Sequence, residues 1–185
     1  MKYPIANNPI PHSQRAELNE KILMSVLRGK RDFTNTDIYN NYTGIGGLHG
    51  LNRADFDNYH DYAEAKRDIE LGQFFTPHEV CRRMVEMAAP AVSDTVLDMC
   101  CGMGNFFNHL PNEYNAYGFD IDENAVKVAK RLYPDANITV DDMHFYDPKM
   151  KFDVIFGNPP YNLTIEDVKS QHFFTHKAYW LLNPG

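Results

Sequence analysis

From residue 95 onward short apolar or β-branched runs alternate with turns and stretches of helical spacing, without an internal repeat of sequence. Strands separated by helical stretches pair in parallel, because each crossover returns the chain to the edge from which it started. The runs are residues 95–99, 116–119, 138–140 and 152–156. A helix is expected to begin near Asn105. Asp122 is placed to cap another through Arg131, which Pro134 closes off, and residues 166–182 read as a last amphipathic helix. The fold class predicted is α/β, a doubly wound, mostly parallel sheet. With four strands the apolar fourth is an edge, so it should pair with another molecule or lie beneath the N-terminal helices.

The first 70 residues read differently. An extended arm carries Pro4, Pro9 and Pro11. A helix capped by Ser13 runs to about Arg28, with Leu18, Ile22 and Val26 beside Ala16, Leu23 and Leu27, and Gly29 ends it. Shorter helical stretches cover residues 36–42 and 53–69, separated by Gly44, Gly46 and Gly47, a plain turn before it is a lid or an anion nest. Two units follow, a helical extension over 1–70 and an α/β domain over 71–185. Where they meet, Thr76-Pro77-His78-Glu79 has the form of a capping box, opening a helix that turns Val80, Met84, Val85 and Met87 inward.

The N-terminus lacks a signal-peptide core and no run is long and apolar enough to span a membrane. Three cysteines, with Cys100 and Cys101 adjacent, make neither a disulfide framework nor a metal knuckle, so a reducing cytoplasm is expected and no metal. The net charge of −7 bears on partners: a nucleic-acid-binding surface needs cations, and here they fall in small groups at Lys66-Arg67, Arg82-Arg83 and residues 127–131.

Two strand ends carry the chemistry. The first strand runs into Asp98-Met99-Cys100-Cys101-Gly102-Met103-Gly104-Asn105-Phe106, where glycines let a ligand approach the backbone. About twenty residues on, Asp120 ends the second strand, placed to accept both hydroxyls of a ribose. The turn is not the dinucleotide Gly-x-Gly-x-x-Gly form. The fourth strand ends in Asn158-Pro159-Pro160-Tyr161. The Asn158 amide oxygen and the Pro159 carbonyl can each accept one hydrogen of a planar amino group, and Tyr161 can stack on the ring that bears it.

Together these segments resemble the gamma-type adenine-N6 DNA methyltransferases, the N6 DNA methylase family that includes type I modification subunits. Asn158-Pro159-Pro160-Tyr161 looks like their catalytic motif, residues 98–106 their glycine turn, and Gly118-Phe119-Asp120-Ile121-Asp122 their ribose-binding strand end. Leu71-Gly72-Gln73-Phe74-Phe75-Thr76-Pro77 resembles the clamp over the methionine part of S-adenosylmethionine. The resemblance implies a Rossmann-like fold, S-adenosylmethionine as cofactor, and a flipped adenine of DNA as substrate. It carries cofactor roles onto Phe75, Thr76, Asp98, Cys100, Gly102, Gly104, Asp120, Ile121 and Asn158, with Asp142 on the cofactor's adenine amino group and Met143 beside its ring. Met99 and Met103 depart from the family pattern. The family also continues past a Leu-Leu-Asn-Pro-Gly turn into three more strands and a target-recognition region. The expected activity therefore belongs to a sheet so completed, or to a chain joined to a specificity subunit.

Other functions compete. A protein-glutamine methyltransferase uses the same motif on a planar side-chain amide. A ribosomal-RNA guanine methyltransferase and a non-catalytic cofactor-binding fragment that completes a partner chain are further alternatives. Phe106 and residues 73–77 favour the DNA enzyme. Plainer roles stand elsewhere: His172 and His176 on a solvated helix face, Cys100 and Cys101 as packing residues, Asp122 as a helix cap, and Phe173, Phe174 and Leu181 as core or interface.

Overall fold

The computed structural model describes residues 1–6, 10, 12–44, 51–70, 73–161, 164–165 and 167–184. Strands β1 (Val96–Met99), β2 (Ala116–Asp120), β3 (Asn137–Val140) and β4 (Val154–Gly157) form one parallel sheet in the order β3-β2-β1-β4. The reversal between β1 and β4 puts the C-terminal ends of β1, β2 and β4 around one crevice, the usual ligand position of an open α/β sheet. Every residue of β1 is buried, as a central strand covered on both faces requires.

The helices are α1 (His12–Leu27), α2 (Asn35–Asn41), α3 (Tyr59–Glu70), α4 (His78–Ala88), α5 (Glu123–Leu132) and α6 (Ser170–Leu181). Asp122 caps α5 as its sequence predicts, its carboxylate accepting from the Asn124 amide at 2.8 Å. α2 is set by a full capping box between Thr34 and Asp37. Helix α1 ends on Gly29 in the left-handed region (φ 63°), and the Lys30 amide closes the turn on the Ser25 carbonyl at 2.9 Å.

Several elements differ from the sequence reading. Residues 53–69 are not one helix: Arg53–Asp55 form a 3-10 turn, and α3 starts afresh where Asn58 accepts from the Asp61 amide. Asn105–His109 is likewise a 3-10 turn, not an α-helix. Thr76 does not cap α4. Pro77 holds the cap position, where its side chain has no atom to cap with; its carbonyl takes the amides of Val80 and Cys81, and Glu79 turns outward to Arg82. The buried stripe of α4 is Cys81 and Val85, while Val80, Met84 and Met87 are exposed. Between β4 and α6 a tight antiparallel pair intervenes, β5 (Thr164–Ile165) with β6 (Val168–Lys169). Asp167 makes its turn with φ 64°, a conformation the short acid tolerates better than most side chains.

The N-terminal helices do not cover β4. They pack against α5 at the opposite side of the sheet, and Tyr3, Ile22, Ile38, Tyr39 and Tyr42 share one core cluster with Phe107, Val126, Leu132 and Tyr133. The start of β4 is instead met by the chain leaving α6: the Phe152 amide donates to Leu181 and the Asn183 amide to Phe152, both at 2.8 Å. Asp153 ties the same corner together, accepting from Thr95 and Asn183. Phe106 and Phe156 stack at 4.9 Å, which locks the glycine turn to the end of β4 just before Asn158.

Candidate active site

The crevice is built by the turn after β1. The turn enters through Cys100 at φ 63°, a strained value for a residue with a β-carbon, and passes Gly102 and Gly104 at φ 53° and 83°. A β-carbon on Gly102 would stand 2.6 Å from the ring of Phe75, so only glycine lets that ring close over the turn. The Gly102 amide does not point free into the crevice; it donates to Asp120 Oδ2 at 2.7 Å. Asp120 Oδ1 accepts from the Asp122 amide at 2.9 Å. These two bonds fix the carboxylate at the end of β2 and leave each oxygen a further acceptor position. Burial still outweighs them, and it pushes the Asp120 carboxyl above its ordinary range.

Beneath the ring of Phe75 lies a narrow cleft lined by Phe74, Phe75, Thr76, Asp98, Cys100, Cys101, Asn105, Phe106 and Asn158. Its volume, about 20 Å³, admits one water-sized group. Both carboxylate oxygens of Asp98 are buried there without a hydrogen-bond partner among the described residues, and so is Asn105 Oδ1. Burial first, and Asp120 second, hold the Asp98 carboxyl well above its ordinary range. Once Asp98 is ionised, these oxygens are all acceptors in a small space, and a compact cationic donor suits them best. The neighbouring thiols are not nucleophiles: burial pushes Cys100 and Cys101 upward, and both remain protonated.

At the end of β4, Asn158 donates through Nδ2 to the Phe74 carbonyl at 3.0 Å. Its Oδ1 and the Pro159 carbonyl accept nothing among the described residues. Pro160 is held by Ser170, whose hydroxyl donates to its carbonyl at 2.6 Å, and Tyr161 stands 57% exposed. The other candidates lie on the same rim. Ile121 is 72% exposed beyond β2, and Asp142 is exposed with Oδ1 accepting the His144 amide. Met143 is different: its side chain is buried with Leu97, Met99 and Phe119 rather than open to a ligand. Leu71, Gly72 and the glycines at 46 and 47 fall outside the described residues.

Two participants escape a reading of the sequence alone. Gln73 donates through Nε2 to Asp122 Oδ2 at 2.6 Å, and Asn105 donates through Nδ2 to the Thr76 carbonyl at 2.8 Å. The only local signal for Asn105 is a polar amide set between the glycine turn and two phenylalanines. His172 and His176 are exposed on α6, as expected, and no metal-ligating cluster occurs among the described residues. No described helix is long and apolar enough to cross a membrane.

Sheet order, glycine turn and acidic strand end define the class, a Rossmann-like α/β fold. The amino pentose methyltransferase CalS10 from Micromonospora echinaspora shares it, with a TM-score of 0.50 over 70% of this chain and 54% of that one at 15% identity. More narrowly, the chain belongs to the N-6 DNA Methylase family, which it matches over residues 59–181. Among curated relatives, the type II methyltransferase M.VspI of Vibrio sp. is 34% identical over 103 residues, 49% of this chain and 25% of that protein. M.TthHB8I of Thermus thermophilus is 33% identical over 103 residues, 54% and 23% of the two chains. The methylase subunit of the type I restriction enzyme EcoEI of Escherichia coli is 29% identical over 82 residues, 36% and 17%. The chain thus spans about a quarter of the length of such relatives.

Proposed function

We propose that this chain carries the cofactor-binding and catalytic part of an enzyme that methylates the N6 amino group of adenine in DNA, within a restriction–modification system. The observation that carries the proposal is a pair of acceptors at the end of β4, Asn158 Oδ1 and the Pro159 carbonyl, without a partner among the described residues. Two adjacent acceptors match in number the two hydrogens of a planar amino group. They favour the pyramidal nitrogen, whose lone pair is no longer spread into the ring, and they keep both N–H bonds directed away from the incoming methyl. Tyr161 stacks on the base and holds it in line. S-adenosylmethionine, when bound, supplies a methyl group on a sulfonium sulfur. The proton left on the methylated nitrogen passes to water, so no strong base is required.

The cofactor roles follow the same geometry. Asp120 receives the ribose hydroxyls, Ile121 covers one face of the adenine, and Asp142 accepts its amino group through Oδ2. Phe75 and Thr76 close over the methionine part, Cys100, Gly102 and Gly104 give it a close backbone wall, and Asp98 receives its ammonium group in the small cleft. Met143 supports the loop of Asp142 from the core. An ammonium beside Asp98 lowers the carboxyl that burial has raised, so binding releases a proton. Affinity for S-adenosylhomocysteine is therefore expected to rise with pH while free Asp98 is still protonated, and to level off above that range. Calorimetry in buffers of differing ionisation enthalpy counts the released proton, and Asp98→Asn should abolish the pH dependence.

DNA needs a stronger grip than this chain offers. Lys21, Arg82, Lys127 and Lys149 are paired with acids, and Lys2 with Glu113. Arg28, Lys30 and Arg31 have no ion pair among the described residues, but the helix that follows them starts against Arg131 at the far end of α5. The main phosphate contacts are assigned to a specificity subunit or a target-recognition region. A protein glutamine amide would fit the same two acceptors. Labelled methyl transfer to DNA and not to release-factor protein separates the readings; labelling of protein alone would replace the first by the second, and labelling of neither would favour a non-catalytic fragment.

A further inference from the structure

Residues 73–77 cross the crevice as a strap, and three carboxamides hold it. Gln73 ties it to Asp122 beyond β2, Asn105 ties Thr76 to the glycine turn, and Asn158 ties Phe74 to the end of β4. A carboxamide is a donor at one end and an acceptor at the other, so whatever engages its nitrogen fixes where its oxygen points. The Phe74 carbonyl can only accept. It therefore draws Nδ2 of Asn158 toward the strap and turns Oδ1 outward. In the opposite orientation, oxygen would face oxygen at Phe74, and an NH₂ group would face the substrate's own amino group.

The strap has a second face. Phe75 packs over Gly102, and Thr76 borders the cleft of Asp98. Behind it, Gly44 lies against Gln73 and Phe75, held in place by Asn19, whose Nδ2 donates to the Gly44 carbonyl at 2.6 Å. One piece of backbone thus touches both the cofactor side and the acceptor group on the substrate side.

We infer that the strap is the orienting device of the active site: Asn105 and Gln73 are positioning residues that hold it where the Phe74 carbonyl sets the Asn158 amide. Resting as it does on the reading of Asn158 as acceptor for a substrate amino group, the assignment predicts that filling the cofactor side is felt at Asn158 without any substrate present.

The test reads the amide itself. In protein carrying ¹⁵N in its asparagine side chains, the Asn158 NH₂ signals are identified by their loss in Asn158→Ser. Asn105→Ala, and separately Gln73→Ala, should shift those signals and speed their exchange with water, and S-adenosylhomocysteine should move them in the parent. The amides of Asn112 and Asn137, which bond to Val92 and Tyr114 elsewhere in the sheet, should stay in place and report an intact fold. At saturating cofactor and DNA, Gln73→Ala should lower kcat about tenfold in the parent and leave it unchanged in Asn158→Ser, because the coupling runs through the amide already removed. Asn158 signals that ignore both substitutions in folded protein would overturn the inference. If they move as expected and no substrate is methylated, the strap stands and the catalytic reading fails.

Discussion

Asn158→Ala is expected to lower the rate of methyl transfer by 10²–10³-fold, on the order of 3–4 kcal/mol of transition-state stabilisation. The loss should fall on kcat. The amino group of a bound adenine is planar and a poor nucleophile, and the Asn158 oxygen acts when that nitrogen becomes pyramidal. The Pro159 carbonyl remains in the variant, which is why a residue of activity should survive. Binding of S-adenosylhomocysteine should change less than the rate, since the Asn158 nitrogen is already engaged by the Phe74 carbonyl and Asp98, not Asn158, carries the charge in the cleft. Titration calorimetry beside single-turnover kinetics separates the two effects. Equal activity in variant and parent would remove Asn158 from the mechanism.

Asp120→Ala should do the reverse and weaken S-adenosylhomocysteine by about 100-fold, roughly 2.7 kcal/mol. Two consequences add together. The ribose hydroxyls lose a charged acceptor, and the Gly102 and Asp122 amides lose the oxygens that fix the glycine turn and the start of α5. Asp120→Asn keeps one acceptor oxygen and should give an intermediate loss. Activity at saturating cofactor should recover in both variants, because Asp120 lies on the cofactor side of the strap. An unchanged affinity in Asp120→Ala would place the ribose elsewhere.

The sheet was legible in the sequence because its strands are short apolar runs between turn residues, and a buried parallel strand has little other way to be written. Asp122 as a cap was legible for a local reason, since its bond reaches only two residues ahead. Thr76 fits the same local pattern and fails. Its carbonyl is engaged from outside by Asn105, 29 residues on, and the helix starts one residue later on Pro77. The inward face of α4 is not legible from hydropathy, because Val80, Met84 and Met87 are as apolar as the residues that are buried, Cys81 and Val85. Edge protection alone leaves open whether β4 pairs with another molecule or lies beneath the N-terminal helices; Ile22, Ile38 and Tyr39 pack in the cluster of α5 instead, which removes the second.

In the site, the glycine turn and Asn158-Pro159-Pro160-Tyr161 declare themselves because their chemistry is contiguous. The bonds that orient them are not contiguous: Gln73 reaches Asp122 across 49 positions and Asn158 reaches Phe74 across 84. Spacing in the sequence carries no trace of such pairs. The side chain of Met143, which the resemblance sets beside the cofactor's ring, is buried with Leu97, Met99 and Phe119, a packing that its neighbours in the sequence do not announce.

The central claim is the identity of the methylated atom. The intact protein would be incubated with methyl-labelled S-adenosylmethionine and adenine-bearing duplex DNA, and the DNA digested to nucleosides for mass spectrometry. Label is expected in N6-methyl-2′-deoxyadenosine, and lost in Asn158→Ala. Label on cytosine, or on protein glutamine with none on DNA, would contradict it.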